Sequence, residues 1–140
     1  MIMRPRYESS FDLSNEKEVS NQLSVNWNCS FHKLPISYHV DWMLIKNNKS
    51  VAFAELKTRK NLRQQYPTLL LSLAKWIHGN DLSKATSLPF LIIVKWTDGL
   101  FWIDSKNAKV NFGIGGRTDR NDSQDIEPVV FIDVNNFKKV

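Results

Sequence analysis

Hydrophobic and polar positions divide the chain into segments of two different periods. Val19 and Leu23 stand four residues apart, as on one face of a helix, and Glu16 falls on the same stripe three residues before Val19. Ser14 is placed to cap this helix, with Asn15, Glu16 and Glu18 in a first turn that favours negative charge; residues 1–10 read as a lead-in. Residues 24–33 are mixed, and a first strand is expected around Val25–Trp27. From Ser37 to Ile45 the pattern alternates, with Tyr38, Val40, Trp42 and Leu44 on one face and His39, Asp41, Met43 and Ile45 on the other. Lys46–Lys49 is a turn by composition. A second alternating run from Val51 to Lys57 puts Ala52, Ala54 and Leu56 opposite Phe53, Glu55 and Lys57.

Beyond a basic connection, Pro67 opens a predicted helix that runs to His78, with Leu70, Leu73 and Ile77 as its buried stripe and Gly79-Asn80 as its stop. Phe90–Val94 is apolar throughout and reads as a buried strand. Thr97–Gly99 turns it into a hairpin partner at Leu100–Ile103. Residues 113–128 read as a polar loop and Val129–Val134 as a last strand. This order implies an α/β protein with a mixed sheet, because the middle helix can carry a crossover between parallel strands.

Composition narrows the setting. The 140 residues, 42% hydrophobic and 24% charged, suit one globular domain over 1–140 that buries its own core. A single cysteine, Cys29, excludes an internal disulfide and suits a reducing cytoplasm. No apolar run approaches the roughly 20 residues that span a bilayer, and Met1–Arg6 is charged with no apolar stretch behind it, so neither a membrane partner nor a secretion signal is expected. The formal charge of +5 favours polyanions such as nucleic acid.

The candidate chemistry lies on the two alternating strands. Glu55 and Lys57 are two residues apart, so on a strand they share a face about 7 Å apart. Glu55 also interrupts an apolar run, and a carboxylate there needs a partner or a metal. Asp41 on the preceding strand could join Glu55 to hold Mg²⁺ or Mn²⁺ through oxygen, with Lys57 orienting a water or stabilising charge on a phosphate. Register supplies a test. A regular two-residue hairpin at Asn47-Asn48 pairs Asp41 with Ala54 and turns the acids to opposite faces. An odd-length loop or a bulge pairs Asp41 with Glu55, and that arrangement is expected. Arg59, Lys60 and Arg63, just after Lys57, are candidates for phosphate contacts.

Asp41, thirteen intervening residues and then Glu55-Leu56-Lys57 resemble the PD-(D/E)XK nuclease signature, with Val40 in place of the usual proline. The small phage-type, Holliday-junction-resolvase-like members are the nearest in kind. The resemblance spans roughly residues 12–96 and implies a restriction-endonuclease-like αβββαβ core, here followed by a strand-rich C-terminal tail. It implies a metal-dependent endonuclease acting on DNA, and for some members a homodimer. It also assigns Glu16 as a further metal ligand or its support, the Leu56 carbonyl as a ligand, and Lys75 and Ser72 as polar residues flanking the site.

Competing assignments are weaker. Cys29, His32 and His39 match no zinc spacing. Asp119–Glu127 has Gln124 where a calcium loop requires glycine, and Gly113–Gly116 lacks the Lys-Ser/Thr of a phosphate-binding loop. The five tryptophans could stack bases, although strand and helix positions more often place them in the core. Two other functions compete: a non-catalytic nucleic-acid-binding module on the same fold, and a structural protein whose tail forms an oligomer interface.

Overall fold

The computed structural model describes residues 10–116 and 126–140. Its elements, in chain order, are α1 (Ser10–Trp27), β1 (Ser30–Lys33), β2 (Trp42–Lys46), β3 (Lys49–Thr58), β4 (Thr68–Ser72), α2 (Leu73–Thr86), β5 (Phe90–Trp96), β6 (Gly99–Asp104), β7 (Val110–Gly116), β8 (Ile126–Asp133) and β9 (Lys138–Lys139). Six strands form a mixed sheet in the order β1-β2-β3-β5-β6-β9; β4, β8 and β7 form a second sheet. Among the described residues only β3 and β5 run parallel, and β4 and α2 supply the crossover between them. The αβββαβ core and mixed central sheet are as expected, with one strand inserted before the second helix.

The two faces of the large sheet are covered differently. Val19 and Leu23 of α1 pack with Trp42, Leu44, Ala52, Ala54 and Leu56. On the opposite face Phe53, Phe90, Ile92 and Val94 meet Leu69 and Leu71 of β4, Val130 and Ile132 of β8, and Leu73, Trp76 and Leu82 of α2. Glu55 and Lys57 belong to this second face. No helix among the described residues is long and apolar enough to cross a membrane.

Several expected boundaries move. α1 begins at Ser10 rather than after Ser14, and it runs through Val25–Trp27, where a strand was expected; Val25 is 82% exposed on the helix. The first strand is instead Ser30–Lys33, paired with β2 from Ser30↔Ile45 to Lys33↔Trp42. The expected long strand from Ser37 breaks into a 3-10 turn, Ile36–Tyr38, followed by left-handed His39 (φ 58°). This break rolls Val40 toward the α2 side while Trp42 and Leu44 face α1.

The helix expected at Pro67 starts only at Leu73. Thr68–Ser72 pairs with β8 instead, because a short leucine run fits a buried strand as well as a helix and β8 supplies the partner. The stripe shifts accordingly, and Ile77 is 46% exposed. Gly79-Asn80 does not end α2. Gly79 lies inside it, against Phe90, whose ring would stand 2.3 Å from an added Cβ. The stop falls at left-handed Ser87 (φ 61°), two residues before Pro89. Much of the expected polar loop at 113–128 is the β7–β8 ladder, from Val110↔Ile132 to Gly116↔Ile126. The rejected calcium-type run lies mostly in 117–125, outside the described residues.

Candidate active site

A bulge in the β2–β3 hairpin sets the site. The turn residues Asn47 and Asn48 both adopt positive φ (52° and 60°), and Lys46 pairs with Lys49, as in a two-residue hairpin. The register then shifts: Ile45 pairs with Ser50 but Leu44 pairs with Ala52, leaving Val51 as the extra residue. The ladder continues to Trp42↔Ala54, so one step further Asp41 faces Glu55. The sequence required an odd-length loop or a bulge, and the bulge is present. Asp41 lies just before β2, anchored by its carbonyl, which accepts from the Leu34 N–H at 2.8 Å.

Glu55 is 1% exposed, on a central strand flanked by β2 and β5. Lys75, three residues into α2, places Nζ 2.5 Å from Glu55 Oε1 and 3.8 Å from Asp41 Oδ1. Lys33 on β1 places Nζ 3.0 Å from Glu16 Oε2 and 3.7 Å from Asp41 Oδ1. Asp41 interacts electrostatically with both Glu55 and Glu16. The three carboxyl groups thus form a chain, Glu16–Asp41–Glu55, crossed by two ammonium groups. Glu55 Oε2 is buried with no partner.

This arrangement divides the acids. Burial, reinforced by the Asp41 charge, raises Glu55 to about 7 against the opposing pull of Lys75. Burial and Asp41 likewise raise Glu16 to about 7. Asp41 is also penalised by burial, but Lys75, Lys33 and its interactions with Glu55 and Glu16 outweigh that and hold it below its ordinary value. Lys57, partly buried on the Glu55 face, is lowered to about 8 by desolvation, with Arg59 and Lys75 adding to the effect. Lys75 itself is held above its ordinary value, because the charges of Glu55 and Asp41 outweigh its desolvation. A protonatable acid and a readily deprotonated amine side by side are a common property of active sites.

The other expected residues separate into two groups. Arg59 continues the Glu55–Lys57 face; burial lowers its pKa, and its Nη1 donates to the Thr58 carbonyl. Lys60 is exposed beside it. Ser72 stands at the head of α2, one turn before Lys75, without a side-chain capping bond. Leu56 buries its side chain on the α1 face, and its carbonyl belongs to the part of β3 past the last β2 pair. Arg63 does not join them. Its Nη1 donates to the Val134 carbonyl at 3.0 Å and its guanidinium lies 4.8 Å over Phe101, so it is committed to the fold.

Sequence reasoning missed Lys33. Its strand was expected several residues earlier, so the alternation that would have aimed Lys33 at Asp41 was never applied to it. The stacking of His39 on His78 (4.4 Å between ring centroids), which ties the segment before Asp41 to α2, left no local signal either.

Among the described residues no three His, Cys, Asp or Glu side chains are gathered as a complete metal cage. The donors that do converge are two carboxylates, one carrying an unpartnered buried oxygen. This set fits Mg²⁺, which commonly takes one or two protein carboxylates and fills its remaining positions with water and substrate oxygens.

Comparison with known proteins agrees with this geometry. No curated protein matches the chain. Among solved structures, a Holliday junction resolvase from the archaeal hyperthermophile Archaeoglobus fulgidus has a similar fold, with a TM-score of 0.59 and 14% identity over 90% of this chain and 92% of that one. Residues 2–140 match the family described as "Phage putative PDDEXK endonuclease". With nearly the whole chain matched, and with Asp41, Glu55 and Lys57 at the bulged hairpin, the protein belongs to this phage PD-(D/E)XK endonuclease family.

Proposed function

We propose that the protein is a Mg²⁺- or Mn²⁺-dependent nuclease that hydrolyses phosphodiester bonds in DNA. The observation that carries this reading is Glu55, a buried carboxylate with one unpartnered oxygen, standing opposite Asp41 and two residues from Lys57. Asp41, Glu55 and the Leu56 carbonyl would hold the cation. When bound, it would supply Lewis-acid polarisation of the phosphate and a more acidic water.

The protein's own groups do the rest. Lys57, lowered to about 8, holds a water by hydrogen bonding or faces the charge that grows on the phosphate oxygens. Glu16 helps to position Asp41 through Lys33, whose ammonium pairs with both carboxyl groups. Lys75 neutralises the pair of acids until they are needed as ligands. Arg59 and Lys60 extend the positive surface past Lys57 toward the flanking phosphates. DNA is favoured over RNA by the family match and by the resolvase fold, and branched DNA belongs among the substrates tested.

The test compares wild type, Glu55→Ala and Lys57→Ala on linear and four-way DNA with Mg²⁺, Mn²⁺ or EDTA. Loss of about 10²-fold or more in either variant is expected, as for removal of a group that acts on developing charge. Wild-type rates in both variants would sink the assignment. The Lys75 ammonium between the two acids favours a second reading, a non-catalytic nucleic-acid-binding module. That reading predicts tight, salt-sensitive DNA binding and no cleavage with any divalent ion.

A further inference from the structure

The chain turns sharply just before Asp41. His39 ends the 3-10 turn Ile36–Tyr38 in the left-handed region, with φ 58° and ψ 9°, and its N–H donates to the Ile36 carbonyl at 3.0 Å. A residue with a Cβ enters that region at an energetic cost, so the turn needs contacts that hold it. Asp41 follows two residues later, one step before β2 begins, and the β2–β3 ladder ends at Trp42↔Ala54. The acid that must meet Glu55 is therefore placed by contacts outside that ladder.

Three contacts do this. Val40, 2% exposed, sinks its side chain into the core on the α2 side. The Asp41 carbonyl accepts from the Leu34 N–H at 2.8 Å. The His39 ring lies on the His78 ring, with 4.4 Å between centroids and 13° between planes. His78 stands on α2 three residues after Lys75, which makes the two side chains neighbours on the helix surface. Helix α2 thus grips this segment twice. It stacks on the His39 ring, and it holds the Asp41 carboxyl through the Lys75 ammonium, 3.8 Å from Oδ1.

The two grips are not equivalent. A cation that takes Asp41 and Glu55 as ligands competes with Lys75, because ammonium and cation seek the same oxygens. The ring stack itself spends no carboxylate oxygen, so it persists when that ion pair opens. We propose that His78 is a positioning residue for Asp41: stacked on His39, it keeps the segment docked on α2 while Lys75 yields the carboxylates to a cation. The inference rests on the nuclease reading for the cation, and it adds a residue that touches neither the reacting bond nor the metal.

The experiment uses the full chain with His78→Ala and His78→Gln, which remove the ring, and His78→Phe, which keeps a flat ring to stack. His78 is exposed, so all three variants are expected to fold. Hydrogen exchange at the Leu34 amide, the donor to the Asp41 carbonyl, reads the backbone position directly. The Gln65 amide, which closes a separate turn on the Leu62 carbonyl, is the reference. Leu34 should exchange about 10-fold faster in the alanine and glutamine variants, the equilibrium equivalent of one lost aromatic pair, with Gln65 unchanged and His78→Phe at the wild-type rate. Calorimetric titration with Mn²⁺ alone should show affinity weakened by about the same 10-fold and restored by phenylalanine. In cleavage assays the half-saturating Mn²⁺ concentration should rise in parallel, while the rate at saturating Mn²⁺ stays within about 3-fold of wild type.

A Leu34 amide that does not respond, or that responds equally in His78→Phe, overturns the proposal. So does a loss of maximal rate at wild-type Mn²⁺ affinity, which would mean that His78 acts on the reaction rather than through Asp41. If Leu34 responds as expected but the wild-type chain neither binds Mn²⁺ nor cuts DNA, the nuclease reading falls while the placement of Asp41 by the stack stands. The two failures are separable.

Discussion

Lys57 shows how much a single side chain gives up to serve the site. Its folded-state pKa, lowered to about 8 mainly by desolvation, lies below the 10.5 it has when exposed, so the folded protein binds this proton less well than the unfolded chain does. The sign follows from linkage. Below pH 8 the amine is charged in both states and the burial penalty is fully present. Between pH 8 and 10.5 the folded state sheds the proton first and the penalty fades. Lys57→Met should therefore be more stable than wild type by about 1–3 kcal/mol at pH 7, with the gap closing as pH rises toward 10.5. The same variant should have lost cleavage, which is the expected conflict between stability and a working site. Urea unfolding from pH 7 to 10 measures this; a gap that stays constant with pH would show that Lys57 carries no burial penalty.

Among the elements, the hairpin was the most legible part of the sequence and the segments around it the least. Strict alternation marked both strands, and register arithmetic on Asp41 and Glu55 demanded an odd residue somewhere between them; the structure supplies it as the bulge at Val51. Glu55 was legible because an acid inside an apolar run has few harmless explanations. Lys33 was not, because nothing in Ser30–Lys33 distinguishes a four-residue edge strand from the end of a helix until β2 is there to pair with it. Thr68–Ser72 misled for the same reason: its strand character comes from β8, some sixty residues later. Gly79 read as a stop because the Phe90 ring that requires a glycine there is brought in by tertiary packing.

The bulge gives a paired prediction. Deleting Val51 removes only the extra residue and leaves Leu44↔Ala52 through Trp42↔Ala54 intact as a regular ladder, so Asp41 still faces Glu55. Deleting Ile45 from β2 instead slides Asp41 opposite Phe53 in a regular hairpin. The first variant should keep cleavage within about 10-fold of wild type and the second should lose about 10²-fold or more, as expected when reacting groups are displaced by a residue or more. Equal activity in the two would mean that the register does not place the acids.

For the molecule as a whole, the +5 charge matters only through where it is presented. The three basic residues after β3 look equivalent in sequence, but the fold divides them. Arg59 stands within reach of the Glu55 charge and Lys60 is exposed beside it, whereas Arg63 is spent holding the Val134 carbonyl and covering Phe101. Each phosphate neutralised by a side chain contributes about 0.9 to the slope of log affinity against log salt on duplex DNA. Arg59→Ala and Lys60→Ala should each flatten that slope by about 1 and weaken binding uniformly across sequences, with little change in thermal stability. Arg63→Ala should leave the slope unchanged and lower stability by about 1–3 kcal/mol, because it strands a buried carbonyl and uncovers an aromatic ring. Fluorescence anisotropy across 50–300 mM salt, read beside thermal melts, separates the two effects. Should Arg63→Ala lower the slope as much as Arg59→Ala does, the DNA path would have to extend across the sheet as far as β6.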